Sequence, residues 1–401
     1  MEEKVASCRL DDESRRSALK PTYGFNMKEL SEIVSAAELL RKSGHKGALA
    51  TVVKVQGSAY RRPGARMLFS ERGREAGFVS AGCLEADLME RARKVMSSNL
   101  PALVSYDTSS TDDLIMGLGL GCNGTVEILL EPLNEKMDSK LRFLRSLVEK
   151  KQFGVLATVF REKGSSGLIG RALTVSSDRS VHNDFMNAEL AGMVALDAMN
   201  VLRAGLSASN RYEAKNASVE MLIEAILPPL PLVIFGAGPD AQPLIKFAHE
   251  LGWHTTMVDH RPAYATKENF PLADAVIVSR PEELSKHLEI EPQTVAIIMT
   301  HNFPTELKLL RLLLPSQARY VGLLGPKSKF DLLSQHLRQE GFEPTKEQLK
   351  KLHTPVGLDI GAETPEEIAF SVIAEIKAVI EGRGAGFLKN LDGPIHGSPG
   401  D

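Results

Sequence analysis

Two of the three cysteines in this 401-residue chain directly follow a glycine. Cys83 stands in SAGCLEAD, between the predicted strand EAGFVS and a predicted amphipathic helix, and the unpaired amides and dipole of a helix N-terminus favour the thiolate. Cys122 stands in GLGLGCNGT, where glycines leave little side-chain volume to pack against a thiol. We predict that the two thiols relay sulfur or bind a soft metal. The alternative is that Cys83 is a small packed apolar side chain.

Three arginines in QGSAYRRPGARM lie in a predicted loop between two strands: Arg61, Arg62 and Arg66. Guanidinium groups bind phosphate or carboxylate through paired hydrogen bonds, so we expect at least one of them to contact an anion. The alternative is a solvated loop with ordinary surface arginines.

GAGPDA follows the apolar run LVIF and matches the dinucleotide-binding pattern G-x-G-x-x-G/A. In that pattern Gly236 makes a tight turn, Gly238 lets a phosphate approach the backbone, and Ala241 allows close packing of helix on sheet. Pro239 or Asp240 begins the helix, whose first amides then face the phosphate.

A carboxylate follows at the expected distance. Asp259 ends the second predicted strand, where a carboxylate commonly binds ribose hydroxyls. Two residues oppose a simple dinucleotide site: Asp240 places a negative charge near the expected phosphate, and Arg261 is placed to bind an additional phosphate.

Other candidates follow later strands of the same region. His301 in MTHNF is the candidate for acid or base chemistry, with a loop-bonding histidine as the alternative. Lys327 in LLGPKSK and Gly361 in LDIGAE complete the predicted binding edge, because ligands of parallel sheets bind at the carboxyl ends of the strands.

The pattern of strands and helices that positions these residues is α/β. N-terminal α/β structure, including the strand-like runs ALATVVKV, ARMLFS and GFVS, precedes a C-terminal Rossmann-like, doubly wound parallel sheet. LATVVKVQGS at 49–58 is echoed by LATVFREKGS at 156–165, which indicates a partial repeat or a common buried-strand string. The predicted organisation is a tail over 1–25, an N-terminal domain with the cysteine and arginine loops over 26–134, a second half over 135–227, a proline linker over 228–231, a Rossmann-like domain over 232–383 and a tail over 384–401.

Composition narrows the class of protein. A formal charge of −3 with interspersed signs predicts no nucleic-acid or membrane partner. The three cysteines lack the paired spacing of a disulfide framework and the C-x-x-C or histidine spacing of a zinc site. We therefore expect a cytoplasmic protein with no metal beyond one carried by a ligand at Cys83 and Cys122.

The motifs together resemble one family. ATVVKVQGSAYRRPGARM, SAGCLEAD, the glycine-rich segment around Cys122, LVIFGAGPDAQPL, MTHNF and TPVGLDIGAETPEEIAF are similar to the XdhC/CoxI family, the xanthine dehydrogenase accessory factors, over residues 28–382. The resemblance implies a factor that binds molybdenum cofactor (molybdopterin), supports its sulfuration with a cysteine desulfurase and inserts it into a xanthine dehydrogenase-type hydroxylase. It also implies a chaperone more than a turnover enzyme, and a homodimer.

Two other functions stay open from the sequence. One is an NAD(P)-dependent oxidoreductase, which GAGPDA and Asp259 alone favour. The other is a cofactor-free scaffold between desulfurase and client enzyme, in which the glycine loops are structural.

Overall fold

The computed structural model describes residues 27–57, 59–80, 82, 84–107, 124–164, 167–185, 187–214 and 217–392. The chain divides into two compact units, the first ending at Pro228 and the second running from Pro229 to Asn390. The division falls within the segment that the sequence marks as a linker. Cys83 and Cys122 lie outside the described residues.

The first half of the first unit forms a five-stranded antiparallel sheet of order β3-β2-β1-β5-β4. Its amphipathic first helix buries an apolar stripe that includes Leu30, Val34 and Ala37. The predicted strand EAGFVS, also given as GFVS, begins and ends too late, because β3 covers Gly73–Gly77. The elements are α1 (Met27–Lys42), β1 (Gly47–Gly57), β2 (Arg66–Ser70), β3 (Gly73–Gly77), α2 (Glu85–Ser98), β4 (Ala102–Asp107) and β5 (Gly124–Pro132).

The second half of this unit forms a sheet of matching order, β8-β7-β6-β10-β9, also antiparallel. Two of its helices begin at asparagines, Asn134 and Asn187, whose side chains accept hydrogen bonds from first-turn amides. The elements are α3 (Glu135–Lys150), β6 (Gly154–Lys163), β7 (Ala172–Ser176), β8 (Val181–Asn183), α4 (Ala188–Ala204), β9 (Ala208–Ala214) and β10 (Ala217–Ile226).

The two copies of the LATV string occupy the same position in the two sheets. Thr51 of β1 pairs with Leu129 of β5, and Thr158 of β6 pairs with Leu222 of β10. One apolar cluster joins the sheets through equivalent residues of both: Val53, Leu129, Phe160 and Leu222. This correspondence supports the proposal that the second half repeats the first.

Ion pairs between the two sheets follow the same correspondence. Lys54 donates to Glu220 at 3.0 Å, and Arg161, which takes the equivalent place in β6, donates to Glu127 at 2.7 Å. Lys54 and Arg161 therefore each bind a carboxylate of the other half.

Two further pairs are buried deep between the sheets. Arg66 makes two hydrogen bonds to Glu224, at 2.8 and 2.5 Å, and Lys140 donates to Glu131 at 2.6 Å. All four side chains are nearly inaccessible to solvent. Pairing and hydrogen bonding offset the large cost of burying these charges.

The second unit is a six-stranded, all-parallel sheet of order β13-β12-β11-β14-β15-β16. This is the order of the dinucleotide-binding Rossmann fold, which confirms the predicted fold class. Its elements are β11 (Pro231–Phe235), α5 (Ala241–Glu250), β12 (His254–Asp259), β13 (Ala275–Val278), a 3₁₀ helix (Pro281–Lys286), β14 (Val295–Ile298), α6 (Phe303–Leu313), β15 (Tyr320–Leu323), α7 (Lys327–Gln339), α8 (Lys346–Lys350), β16 (Leu352–His353), α9 (Pro365–Ile380) and a 3₁₀ turn (Leu388–Asn390).

Prolines lie at the starts of both the first strand and the last long helix of this unit. Pro231, which we assign to the linker from sequence, is the first residue of β11, a position where a proline is tolerated. Thr364 and Glu367 form a capping box at the start of α9, in the pattern T-x-x-E that can be read from the sequence. No helix in the described ranges is long and apolar enough to cross a membrane.

Candidate functional site

The candidate site lies at the carboxyl edge of the parallel sheet, where strand order reverses between β11 and β14. Neighbouring crossovers leave this point in opposite directions, which opens a crevice for a ligand. A pocket at this edge is lined by residues from four strand ends and the helices that follow: Phe235, Val258, Asp259, His260, Ser279, Arg280, Pro281, Leu284, Thr300, Thr305 and Leu309.

The first glycine of GAGPDA makes a turn that no other residue fits. Gly236 has φ +118°, and a Cβ there would lie 2.5 Å from the carbonyl oxygen of Met299. Its amide donates to the carbonyl of Val258 at 2.9 Å. The turn is thus pressed between the ends of β12 and β14, as a tight Rossmann turn requires.

The second glycine faces a side chain of its own loop. A Cβ on Gly238 would overlap Oδ1 of Asp240. Pro239 contributes no amide hydrogen, and α5 begins at Ala241 without a hydrogen bond from its first-turn amides to the side chain of Asp240. Sequence reasoning assigns this face of Gly238 to a phosphate; in the structure the Asp240 carboxylate occupies it.

His301 faces the same carboxylate from the end of β14. Its Nε2 lies 3.0 Å from Oδ2 of Asp240, and its side chain is 61% exposed. The residue adopts a left-handed backbone with φ +51°, which is costly for a non-glycine residue. This backbone turn directs the imidazole across the strand reversal, and the next residue, Asn302, caps α6.

Asp259 ends β12 as predicted, but its acceptor positions are filled. Oδ2 accepts from the amide of Ala237 at 2.8 Å and from the guanidinium of Arg261 at 2.7 Å. Oδ1 accepts from the amide and Nε of Arg261, at 2.9 and 3.0 Å. Burial raises the pKa of this carboxyl, but the hydrogen bonds from Arg261 and Ala237 outweigh burial and lower its pKa below the usual value.

The hydrogen bonds that Asp259 already accepts limit its capacity to bind a nucleotide. A carboxylate has about four lone-pair positions, and all are used within the chain. Arg261 is held by Asp259 and stacks on the ring of Tyr264 at 4.2 Å, so its guanidinium is also engaged. Asp259 is therefore not poised to accept from ribose hydroxyls.

The later candidates separate into exposed and buried groups. Lys327 is an exposed first residue of α7, and Gly361 is exposed with φ +71°. Lys329 instead turns inward and donates to the fully buried Glu306 at 2.7 Å. Contact of Lys327 and Gly361 with a ligand at this edge of the sheet stays a prediction.

In the first unit, the arginine loop has mostly structural partners. Arg61 binds both carboxylate oxygens of Glu29, at 2.9 and 2.7 Å, and stacks on Phe78 at 4.2 Å. Arg66 is buried against Glu224. Arg61 and Arg66 are thus engaged by carboxylates of the chain, and contact between an anion and at least one arginine of this loop, which includes the half-buried Arg62, stays a prediction.

The residues around Cys83 show how the helix start is satisfied. Helix α2 begins at Glu85, whose carboxylate accepts from the amide of Leu84 at 3.2 Å. The hydroxyl of Ser80 also accepts from that amide, at 3.2 Å, and from the amide of Gly82 at 3.3 Å. These contacts hold the Glu85 carboxylate at the start of α2.

Two basic residues of the pocket were not predicted from the sequence. Arg280 follows β13 by two residues and lines the pocket, as does His260, whose Nδ1 lies 3.3 Å from Asp259. The signal was available, because each residue just beyond a parallel strand is a candidate for ligand contact. The described ranges contain no cluster of three potential ligands for a metal ion.

Fold and site define a protein in which a Rossmann-type ligand-binding unit follows an N-terminal unit of two antiparallel sheets. The family model described as the XdhC Rossmann domain matches residues 232–376, and that described as the XdhC and CoxI family matches residues 40–107. The chain belongs to the XdhC and CoxI family.

Relatives agree along most of the chain. A Bacillus subtilis protein, named as a probable subunit of xanthine dehydrogenase, is 32% identical over 84% of this chain and 94% of its own length. The molybdenum cofactor insertion chaperone PaoD of Escherichia coli is 24% identical over 90% of this chain and 92% of its own. A crystal structure from Bacillus halodurans, described as a xanthine dehydrogenase, matches with TM-score 0.69 and 33% identity, covering 89% of this chain and 98% of that one.

Proposed function

We propose that this protein binds molybdenum cofactor and inserts it into a xanthine dehydrogenase-type client. The support is the membership of the family together with the function named for one relative, an insertion chaperone aligned along nearly the whole chain. The cofactor is cargo in this proposal, held at the carboxyl edge of the second unit.

The observation that carries the proposal is the charge distribution at this edge. Arg280 and His260 border the pocket on one side, and Asp240 lies with His301 across the strand reversal. A cofactor with a phosphate at one end and a polar ring at the other matches a sheet edge with an arginine beyond β13 and a carboxylate at the turn after β11. Asp259 already accepts four hydrogen bonds within the chain, which disfavours NAD(P) as the ligand because its ribose hydroxyls would need those acceptor positions.

Finer parts of the proposal rest on family resemblance. We propose that Cys83 and Cys122 handle sulfur or molybdenum while a cysteine desulfurase supplies the terminal sulfido ligand, and that Arg62 contacts an anionic part of the cofactor. We further propose a cytoplasmic homodimer. The identity of the client stays at the level of a molybdenum hydroxylase.

The test is retention and delivery of the cofactor. Purified protein is mixed with molybdenum cofactor released from a donor enzyme, separated from free cofactor by gel filtration, and assayed for bound pterin by fluorescence after oxidation. We expect stoichiometric retention, no displacement by excess NAD or NADP, and activation of an apo-hydroxylase by the loaded protein. Absence of retention by the folded protein, or retention that NAD displaces, would contradict the proposed function.

A further inference from the structure

We propose that Asp240 recognises the amino-pyrimidinone edge of a pterin, and that the ring of the cargo therefore lies over the glycine turn. This inference rests on the proposed function and gives the orientation of its ligand. Three features of the turn carry it: the position of the carboxylate, its unused acceptor capacity, and the contrast with Asp259.

The position of the carboxylate disfavours a phosphate at the turn. Asp240 covers the face of Gly238 through which a pyrophosphate approaches in dinucleotide-binding proteins. Pro239 removes one of the amides that would bind it. A phosphate here would meet a negative charge at short range, with one donor fewer to offset the repulsion.

The same carboxylate is suited to accept hydrogen bonds. Its side-chain partner among the described residues is Nε2 of His301, on Oδ2, and about a quarter of its side chain is exposed. A carboxylate binds two parallel donors well when both oxygens remain within reach. His301 fixes the rotation of the group and leaves acceptor positions on both oxygens.

Asp259 provides an internal comparison, because it lies at the same sheet edge. Its oxygens already accept four hydrogen bonds from Ala237 and Arg261, and its side chain is 3% exposed. Of the two carboxylates at the strand reversal, Asp240 is thus the one with capacity for a ligand.

Ligand chemistry supplies the matching edge. A pterin carries a 2-amino group beside the N3–H of its pyrimidinone ring, so two donors point in the same direction. Guanine carries the same edge, and both sources satisfy the carboxylate. With the pterin over the turn, Arg280 and His260 lie farther along the edge, toward β12 and β13, on the side available to a phosphate.

The experiment compares ligands that differ at this edge. Titrations use unsubstituted pterin, guanosine and lumazine, in which an oxygen replaces the 2-amino group. Wild-type protein should bind pterin at least about ten-fold more tightly than lumazine, since a charge-assisted hydrogen bond is lost and an oxygen faces the carboxylate. In the isosteric Asp240→Asn variant that preference should disappear. The matched control is Asp331→Asn, an exposed carboxylate on α7, which should keep it.

Each outcome bears on the proposal. Equal binding of pterin and lumazine by wild type, or an unchanged preference in folded Asp240→Asn, would overturn it. Asp240-dependent binding of guanosine without binding of pterin would overturn the assignment to a pterin. If the ligand preference fails while wild type still retains molybdenum cofactor, the orientation is refuted and the proposed function stands. If the preference holds while cofactor is not retained, the proposed function is refuted instead.

Discussion

Replacing Arg66 with alanine should remove much of the first unit's stability, although sequence alone suggests an anion-binding role for this residue. Its guanidinium makes two hydrogen bonds to Glu224, and the two side chains are 3% and 2% exposed. Arg66→Ala leaves a carboxylate buried without its cation, which costs about 3–5 kcal/mol. Small units have about 5–15 kcal/mol in total, so the loss is a large part of the free energy of unfolding.

The assay separates the two units. The chain has a single tryptophan, Trp253, which is buried in the second unit, so its fluorescence reports that unit. Urea unfolding is followed in parallel by far-ultraviolet circular dichroism, which includes the antiparallel sheets of the first unit. We expect Arg66→Ala to create an early transition in the dichroism and to leave the fluorescence midpoint unchanged.

Two controls make the result specific to burial of charge. Arg91→Ala breaks an exposed pair with Asp87, whose side chains are 47% and 39% exposed, and should cost at most about 0.5 kcal/mol. Arg66→Met combined with Glu224→Leu removes both charges and should recover most of the stability. If Arg66→Ala proved no more destabilising than Arg91→Ala, the buried-pair reasoning would be refuted and an anion-binding role for Arg66 would return.

Three further outcomes are expected. Gly236→Ala should destabilise the second unit by about 2 kcal/mol or more, measured by tryptophan fluorescence, because its Cβ would clash with Met299 at a backbone unsuited to alanine; a wild-type midpoint would contradict the tight turn. The pKa of Asp259 is lower in the folded protein, so this carboxylate stabilises the fold above its unfolded pKa of about 4 and loses that contribution as the pH falls through the folded value. Asp259→Asn should therefore reduce the loss of Tm on acidification. Parallel curves of Tm against pH for wild type and variant would exclude this role. Cys83→Ser and Cys122→Ser proteins, loaded with equal cofactor, should activate an apo-hydroxylase less than wild type at unchanged Tm, whereas full activation by both would remove the thiols from the proposal.

The second unit was largely predictable because its determinants are local. Continuous apolar strands, a glycine turn and a capping box lie within short windows of sequence, and each specifies one conformation. The two-residue strand β16 was missed, since it has too few residues for a periodic pattern. The third strand of the first sheet was misplaced because its polar sequence, GREAG, resembles a loop.

The sequence predicted which residues lie at the candidate site better than it predicted how their side chains are arranged. The sequence shows the charge of Asp240, but its approach to Gly238 depends on side-chain placement. Arg66 and Glu224 are 158 positions apart, so the partner of that arginine was beyond any local pattern. The hydrogen bonds from Arg261 to Asp259 also depend on a side-chain rotamer of the arginine, which the sequence spacing of the two residues does not specify.

The exchange of charges between the two sheets of the first unit has a consequence for biosynthesis. Arg66 emerges from the ribosome long before Glu224, and Glu131 precedes its cation on α3 by nine positions. A nascent first half therefore carries Arg66 without the carboxylate that pairs with it until β10 has been made. We therefore expect the core between the two sheets to be completed only after the second half has been translated, so that a ribosome-bound first half exposes a charged face.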